Sequence, residues 1–201
     1  MNLLYIDEFS HNLERVLSTA KKYKYSFKVI ERRISYNTYF QEIERSDNRI
    51  PPCVVDGSIM KEIFYDLNEV YENTPMYLDT TWVAEAYLRI QNETRLTFEA
   101  IFIYLPIKEI LELFNVYHEM DFNQIVDLFK KRYEEESVLE KLLEKFQMSL
   151  KSLSEMNGVS YDLLYSLKSR RRDIKQVNIK DIYEIKKVFD VRSETIAELT
   201  L

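Results

Sequence analysis

Leu153-Ser154-Glu155-Met156-Asn157-Gly158-Val159-Ser160 is the stretch whose reading decides the fold. Gly158 is one of only two glycines in 201 residues, and it stands where a helix-ending residue takes positive φ. Ser160, two residues later, is a preferred N-cap, so a new helix starts at once and the two axes must turn within three residues. Upstream, Ser149 is positioned to cap a helix in which Leu153 and Met156 point inward. Downstream, Leu164 and Leu167 face the core. That leaves Tyr161, Asp162, Leu163, Tyr165, Ser166 and Lys168 for the other faces, and the chain exits through Ser169-Arg170-Arg171-Arg172-Asp173.

Working outward, Leu139, Leu142, Leu143, Phe146 and Leu150 repeat at helical spacing ahead of the turn, on a helix that needs partners to cover its apolar face. Behind it, Asn178 suits the cap of a helix striped by Ile179, Ile182, Ile185 and Phe189. A last short helix is expected from Ser193 through Ile196 and Leu199. The charged run Lys130–Glu136 reads as a solvated helix end and a boundary, dividing the chain into residues 1–136 and 137–201. Charge divides at the same place. The net charge of −6 resolves into twelve basic against ten acidic residues after 136, and −8 before it. Such asymmetry points to different partners for the two parts.

The first 136 residues read as a nearly all-helical, acidic, aromatic-rich domain. Leu13, Val16, Leu17 and Ala20 stripe a first helix, expected from Glu8 to Tyr25. Ser26–Ser46 reads as a second helix with Phe27, Ile30 and Ile34 on one face. Ser46–Ser58 carries Pro51-Pro52 and Asp56-Gly57 and reads as a surface loop. Ser58 is then expected to cap a short helix ending at Leu67. Pro75 suits the first turn of a helix striped by Val83, Ala86, Tyr87 and Ile90. Thr97 caps the next helix, Pro106 breaks it before Ile107, Ile110, Leu111 and Phe114, and Asp121 caps a helix carrying Phe122, Ile125, Val126 and Phe129. Tyr77, Trp82, Tyr87, Phe98, Phe102 and Tyr104 read as core.

Several classes of function find little footing. An apolar fraction of 46% with 13% aromatics is far from disordered composition. Cys53, the single cysteine, excludes an internal disulfide. The longest uncharged apolar run, Ala100–Ile107, is interrupted by Pro106 and is far short of the roughly 18 residues that span a bilayer. Asp7 and Glu8 stand where a signal peptide would be basic, so a cytoplasmic protein without membrane contact is expected. Neither Cys53 in its turn, nor His118-Glu119 with Asp121, nor Asp181 with Glu184-Ile185-Lys186 has the supporting residues of a nucleophile, metal or nuclease site. A non-enzymatic protein without cofactor or metal is expected.

Taken together, residues 139–199 resemble the lambda-repressor-like, XRE-type helix-turn-helix domain of bacterial and phage regulators. The resemblance rests on the spacing of Ser149, Leu153, Gly158-Val159-Ser160, Leu164 and Leu167, and on Phe189-Asp190-Val191, where the family usually has Leu-Gly-Val. It implies a five-helix DNA-binding bundle with Tyr161–Ser169 lying in the major groove; with the helical periodicity of residues 1–136, the expected chain is all-α, an N-terminal helical domain followed by that bundle. Carried over, the base-facing positions are Tyr161, Asp162 and Ser166, and the phosphate-facing ones are Ser149, Lys168, Arg170, Arg171 and Arg172. This chain departs from the pattern at Leu150, where a polar residue usually follows the cap, and at Arg170, where a glycine often follows the recognition helix. No Arg, Asn or Gln occupies a base-facing position, although these make the strongest bidentate contacts.

The resemblance implies a transcriptional regulator that binds double-stranded DNA as a homodimer, with residues 1–136 supplying dimerisation, sensing or a protein-partner surface. The competing expectation is an antitoxin-like or defence-associated adaptor in which the bundle binds protein and DNA contact is secondary or absent.

Overall fold

The computed structural model describes residues 3–45, 56–67 and 79–198. Every regular element among them is helical: α1 (Leu3–Tyr23), α2 (Phe27–Tyr36), α3 (Thr38–Arg45), α4 (Asp56–Phe64), α5 (Thr80–Thr94), α6 (Phe98–Tyr104), α7 (Ile107–Tyr117), α8 (Phe122–Glu135), α9 (Val138–Lys145), α10 (Leu150–Asn157), α11 (Tyr161–Lys168), α12 (Ile179–Phe189) and α13 (Ser193–Ala197), with a 3-10 turn at Ile174–Gln176. No helix among the described residues is long and apolar enough to cross a membrane. The chain is therefore all-α, as its periodicity predicts.

Two compact units divide between Leu128 and Phe129, inside α8 and ahead of the sequence boundary drawn at Glu136. In the first, α1 packs along α5 and also meets α2 and α4, while α2 touches α3, α6 and α7. The expected stripes are its core: Leu13, Val16, Leu17 and Ala20 are fully buried, as are Val83, Ala86, Tyr87 and Ile90, and Trp82, Phe98, Phe102 and Tyr104 are buried with them. Tyr77 and Pro75 lie outside the described residues, and the helix Pro75 was expected to open begins at Thr80, where the Asp79 carboxylate accepts from the Trp82 amide at 3.0 Å. Thr97 caps α6 through the Ala100 amide, and Pro106 separates α6 from α7, as expected.

Two stretches of this unit depart from expectation. The single helix expected over Ser26–Ser46 is, as far as Arg45, two helices, because Asn37 leaves the helical backbone at ψ 131° and its side chain accepts from the Tyr39 amide while donating to Glu62. Asp56 and Gly57, read as loop, lie inside α4, so Ser58 is a helical residue and not its cap, and the helix ends at Phe64 before Leu67. The rest of the expected loop, with Cys53, lies outside the described residues. The α7 N-terminus is held by buried Glu31, 76 residues upstream, whose carboxylate accepts from the Ile107 amide at 2.7 Å.

The second unit holds the end of α8 and the five helices α9–α13. Within it α9 packs on α11 and α13, α10 on α11 and α12, and α12 on α13. Leu139, Leu142, Leu153, Leu164, Leu167, Ile185 and Ile196 have no accessible surface, and Phe189 closes the set. Burial of each is worth about 1.5–3 kcal/mol against exposure. Three side chains expected in this core are outside it: Phe146 is 45% exposed, Met156 is 64% exposed and Ile179 is 82% exposed. All three stand at helix ends, where the stripe has drifted off the buried side. Leu199 lies outside the described residues.

Helix ends in both units share a feature. Among the described residues six non-glycine ones take positive φ, Lys24, Asp66, Arg95, Gln147, Arg170 and Asp190, each one or two positions past a helix end. Asp190, at φ 51°, holds the place where the family resemblance puts glycine.

Candidate nucleic-acid interface

The turn between α10 and α11 is closed by side chains as well as by backbone. Gly158, at φ +70°, donates its amide to the Ser154 carbonyl at 2.9 Å. The Asn157 side-chain carbonyl accepts from the Val159 amide at 2.9 Å, and the Ser154 hydroxyl donates to the Val159 carbonyl at 2.6 Å. Val159 is itself buried. Ser149 and Ser160 cap the two helices, accepting from the amides of Ser152 at 3.0 Å and Leu163 at 3.3 Å. The geometry is thus two eight-residue helices joined by three residues, with Ser154 as the small residue that lets the turn close.

On the open side of α11, Tyr161 and Tyr165 are 49% and 45% exposed and stand one helical turn apart, ring centroids 6.4 Å apart and nearly parallel at 13°. The Arg171 guanidinium lies 5.6 Å over the Tyr165 ring, so the three side chains form one ladder. Asp162 is exposed beside them in the first turn. Tyr165 was not among the expected site residues. Its four-residue spacing from Tyr161 is the signal that places it on the same face.

The remaining expected positions divide by what their polar atoms already do. Ser166 donates its hydroxyl to the Leu163 carbonyl at 2.7 Å, and Ser149 shares its hydroxyl with that of Ser152 at 2.9 Å. Lys168 pairs with Glu140 of α9 at 2.8 Å, and that hydrogen bond raises its pKa against a small burial penalty. Arg172 is exposed on the exit loop.

Comparison with known proteins gives no match: no family model, curated protein or solved structure is similar to this chain. The functional reading therefore rests on the residues themselves.

Among the three arginines, Arg170 is set apart. At φ 53° its side chain turns back to the end of α8, where its guanidinium donates to the carbonyls of Tyr133, Glu134 (3.1 Å) and Glu136 (2.8 Å). The first two are last-turn carbonyls that the helix itself leaves without intrahelical donors, Glu136 follows just past the helix end, and a cation at a helix C-terminus also meets the favourable end of its dipole. The same guanidinium lies 5.1 Å over the Tyr133 ring, and the Tyr133 hydroxyl reaches the Glu198 carbonyl at 3.3 Å. Burial and the nearby Glu198 push the Tyr133 pKa up to about 12, partly offset by Arg170. Arg170 is a clamp within the unit, and the cations presented outward at the exit of α11 are Arg171 and Arg172.

Elsewhere, Asp121 and His118 have structural partners. Asp121 caps α8 by accepting from the Asn123 amide at 2.9 Å, and His118 stacks on Phe114 with ring centroids 4.7 Å apart. Ile185, between Glu184 and Lys186, is buried in α12.

Proposed function

We propose that residues 137–201 are a lambda-repressor-like DNA-docking bundle and that the chain is a non-catalytic transcriptional regulator of the XRE type, acting on double-stranded DNA as a homodimer. The observation that carries this is the closed Gly158 turn, which sets α11 with Tyr161, Asp162 and Tyr165 outward and delivers Arg171 and Arg172 at its exit. A helix so presented fits a major groove, and cations at its end meet phosphates, which supply most of the affinity and make it salt-dependent. The assignment of phosphate contacts narrows to Arg171, Arg172 and, when it leaves Glu140, Lys168. Arg170 acts by holding the exit loop.

The test is fluorescence anisotropy of the full chain on duplex DNA across a salt series. Replacing Arg171 and Arg172 together by alanine should flatten the slope of log K against log salt by about 2. An unchanged slope would remove both from the interface.

A second reading has its own observation. Ile179 and Tyr183 lie four residues apart on α12, 82% and 59% exposed, flanked by Lys180 and Lys187. Exposed apolar side chains on one helix face suit a protein partner, as in an adaptor. A stoichiometric partner that is lost on Ile179→Ser, with no DNA binding at low salt, would favour it.

A further inference from the structure

We infer that the Tyr161–Tyr165 ladder reads the 5-methyl groups of pyrimidines in the major groove, so that the preferred ligand of α11 is duplex DNA with thymines two base-pair steps apart. This rests on the docking proposed above and names the base chemistry it selects.

The inference follows from what the open face of α11 offers. Base-reading side chains with paired donors are absent from Tyr161, Asp162 and Tyr165, and the Ser166 hydroxyl is committed to the Leu163 carbonyl. What remains is two aromatic faces and one carboxylate. In the major groove the only apolar group on a natural base pair is the thymine methyl, and aromatic or methyl-bearing side chains are its matching surface. A carboxylate accepts from an exocyclic amine, N4 of cytosine or N6 of adenine, and is repelled by the acceptors of guanine.

Spacing selects further. The ring centroids are 6.4 Å apart, close to the rise of roughly 6.8 Å along the duplex axis that two base-pair steps make at about 3.4 Å each. In an alternating A–T duplex each strand carries a thymine at every second step, with an adenine amine between them for Asp162. Arg171 over the Tyr165 ring restricts that ring from the outer side. Both tyrosines are about half exposed, so removing either ring leaves the core intact.

Thymine replaced by deoxyuridine loses only the methyl. The full chain is titrated by anisotropy, at about 50 mM salt where phosphate contacts are strong, onto an alternating A–T duplex and the same duplex made with deoxyuridine. The deoxyuridine duplex should bind about fourfold more weakly for each methyl covered. Tyr161→Ala and Tyr165→Ala should each reduce that ratio, and the double variant should bind the two duplexes equally. Tyr165→Phe should keep the ratio, because the ring and not the hydroxyl makes the contact. Equal binding of the two duplexes by the unaltered chain overturns the inference and leaves the DNA-docking proposal standing, as does a ratio that survives loss of both rings or is lost in Tyr165→Phe. Binding to neither duplex overturns both.

Discussion

Arg170, Arg171 and Arg172 are chemically identical neighbours with three different jobs. Arg170 hydrogen-bonds three backbone carbonyls at the end of α8, Arg171 lies on Tyr165, and Arg172 stands in solvent. Hydrogen bonds from a charged donor to half-buried carbonyls are among the stronger ones, so Arg170→Ala should lower the unfolding free energy by about 2 kcal/mol. Arg172→Ala should change it by less than about 0.5 kcal/mol, both read from urea denaturation followed by circular dichroism. The difference is hidden in the sequence because the acceptors of Arg170 are 34 to 37 residues upstream, and local pattern carries no information about them. Tyr165, by contrast, is within reach of the i, i+4 rule from Tyr161, although the family pattern does not mark its position.

At the scale of the element, the α10–α11 turn depends on one backbone conformation. A Cβ at Gly158 would meet nothing within 4 Å, so space is not the reason for glycine there. The reason is φ +70°, and Gly158→Ala should destabilise the bundle by about 1–2 kcal/mol from the left-handed backbone alone. Gly158→Asn should cost less, since asparagine tolerates this region, and thermal melting of the two variants distinguishes backbone strain from crowding. This turn was legible because its chemistry is local: a rare glycine, a capping serine and flanking leucines. The break at Asn37 was less so. Phe27, Ile30 and Ile34 keep one helical face up to the break, and only the side-chain bonds of Asn37 to Tyr39 and Glu62 reveal it. Met156 and Ile179 were misplaced for a related reason, since periodicity identifies a face without saying where the neighbouring helix ends.

Across the whole molecule, the helical class was readable from period, whereas the point inside α8 where the two compact units divide depends on which turns pack together. Both units carry protonated groups whose pKa is raised by folding. Tyr87 is raised by burial, and by Glu31 and Glu109; Tyr133 is raised to about 12; in Lys141, hydrogen bonds to Glu136 and Glu144 outweigh desolvation, and Lys168 is raised by Glu140. A raised folded pKa contributes stability that is complete below the unfolded value, near 10.0 for tyrosine and 10.5 for lysine, and is lost as pH climbs through the folded one. Denaturation midpoints should therefore stay level in this respect up to about pH 10 and fall between about 10 and 12, with a shallower fall in Lys168→Met.

The positive-φ residues at the helix ends have a consequence for engineering. Six side-chain-bearing residues hold a backbone that glycine holds more easily, and the described chain uses a positive-φ glycine only at Gly158. Lys24 and Gln147 are exposed. Lys24→Gly and Gln147→Gly should each raise the melting temperature, through a gain of about 0.5–1 kcal/mol, without touching the core or α11. Heat resistance in this protein is therefore open to improvement at its joints, independently of whatever its surfaces bind.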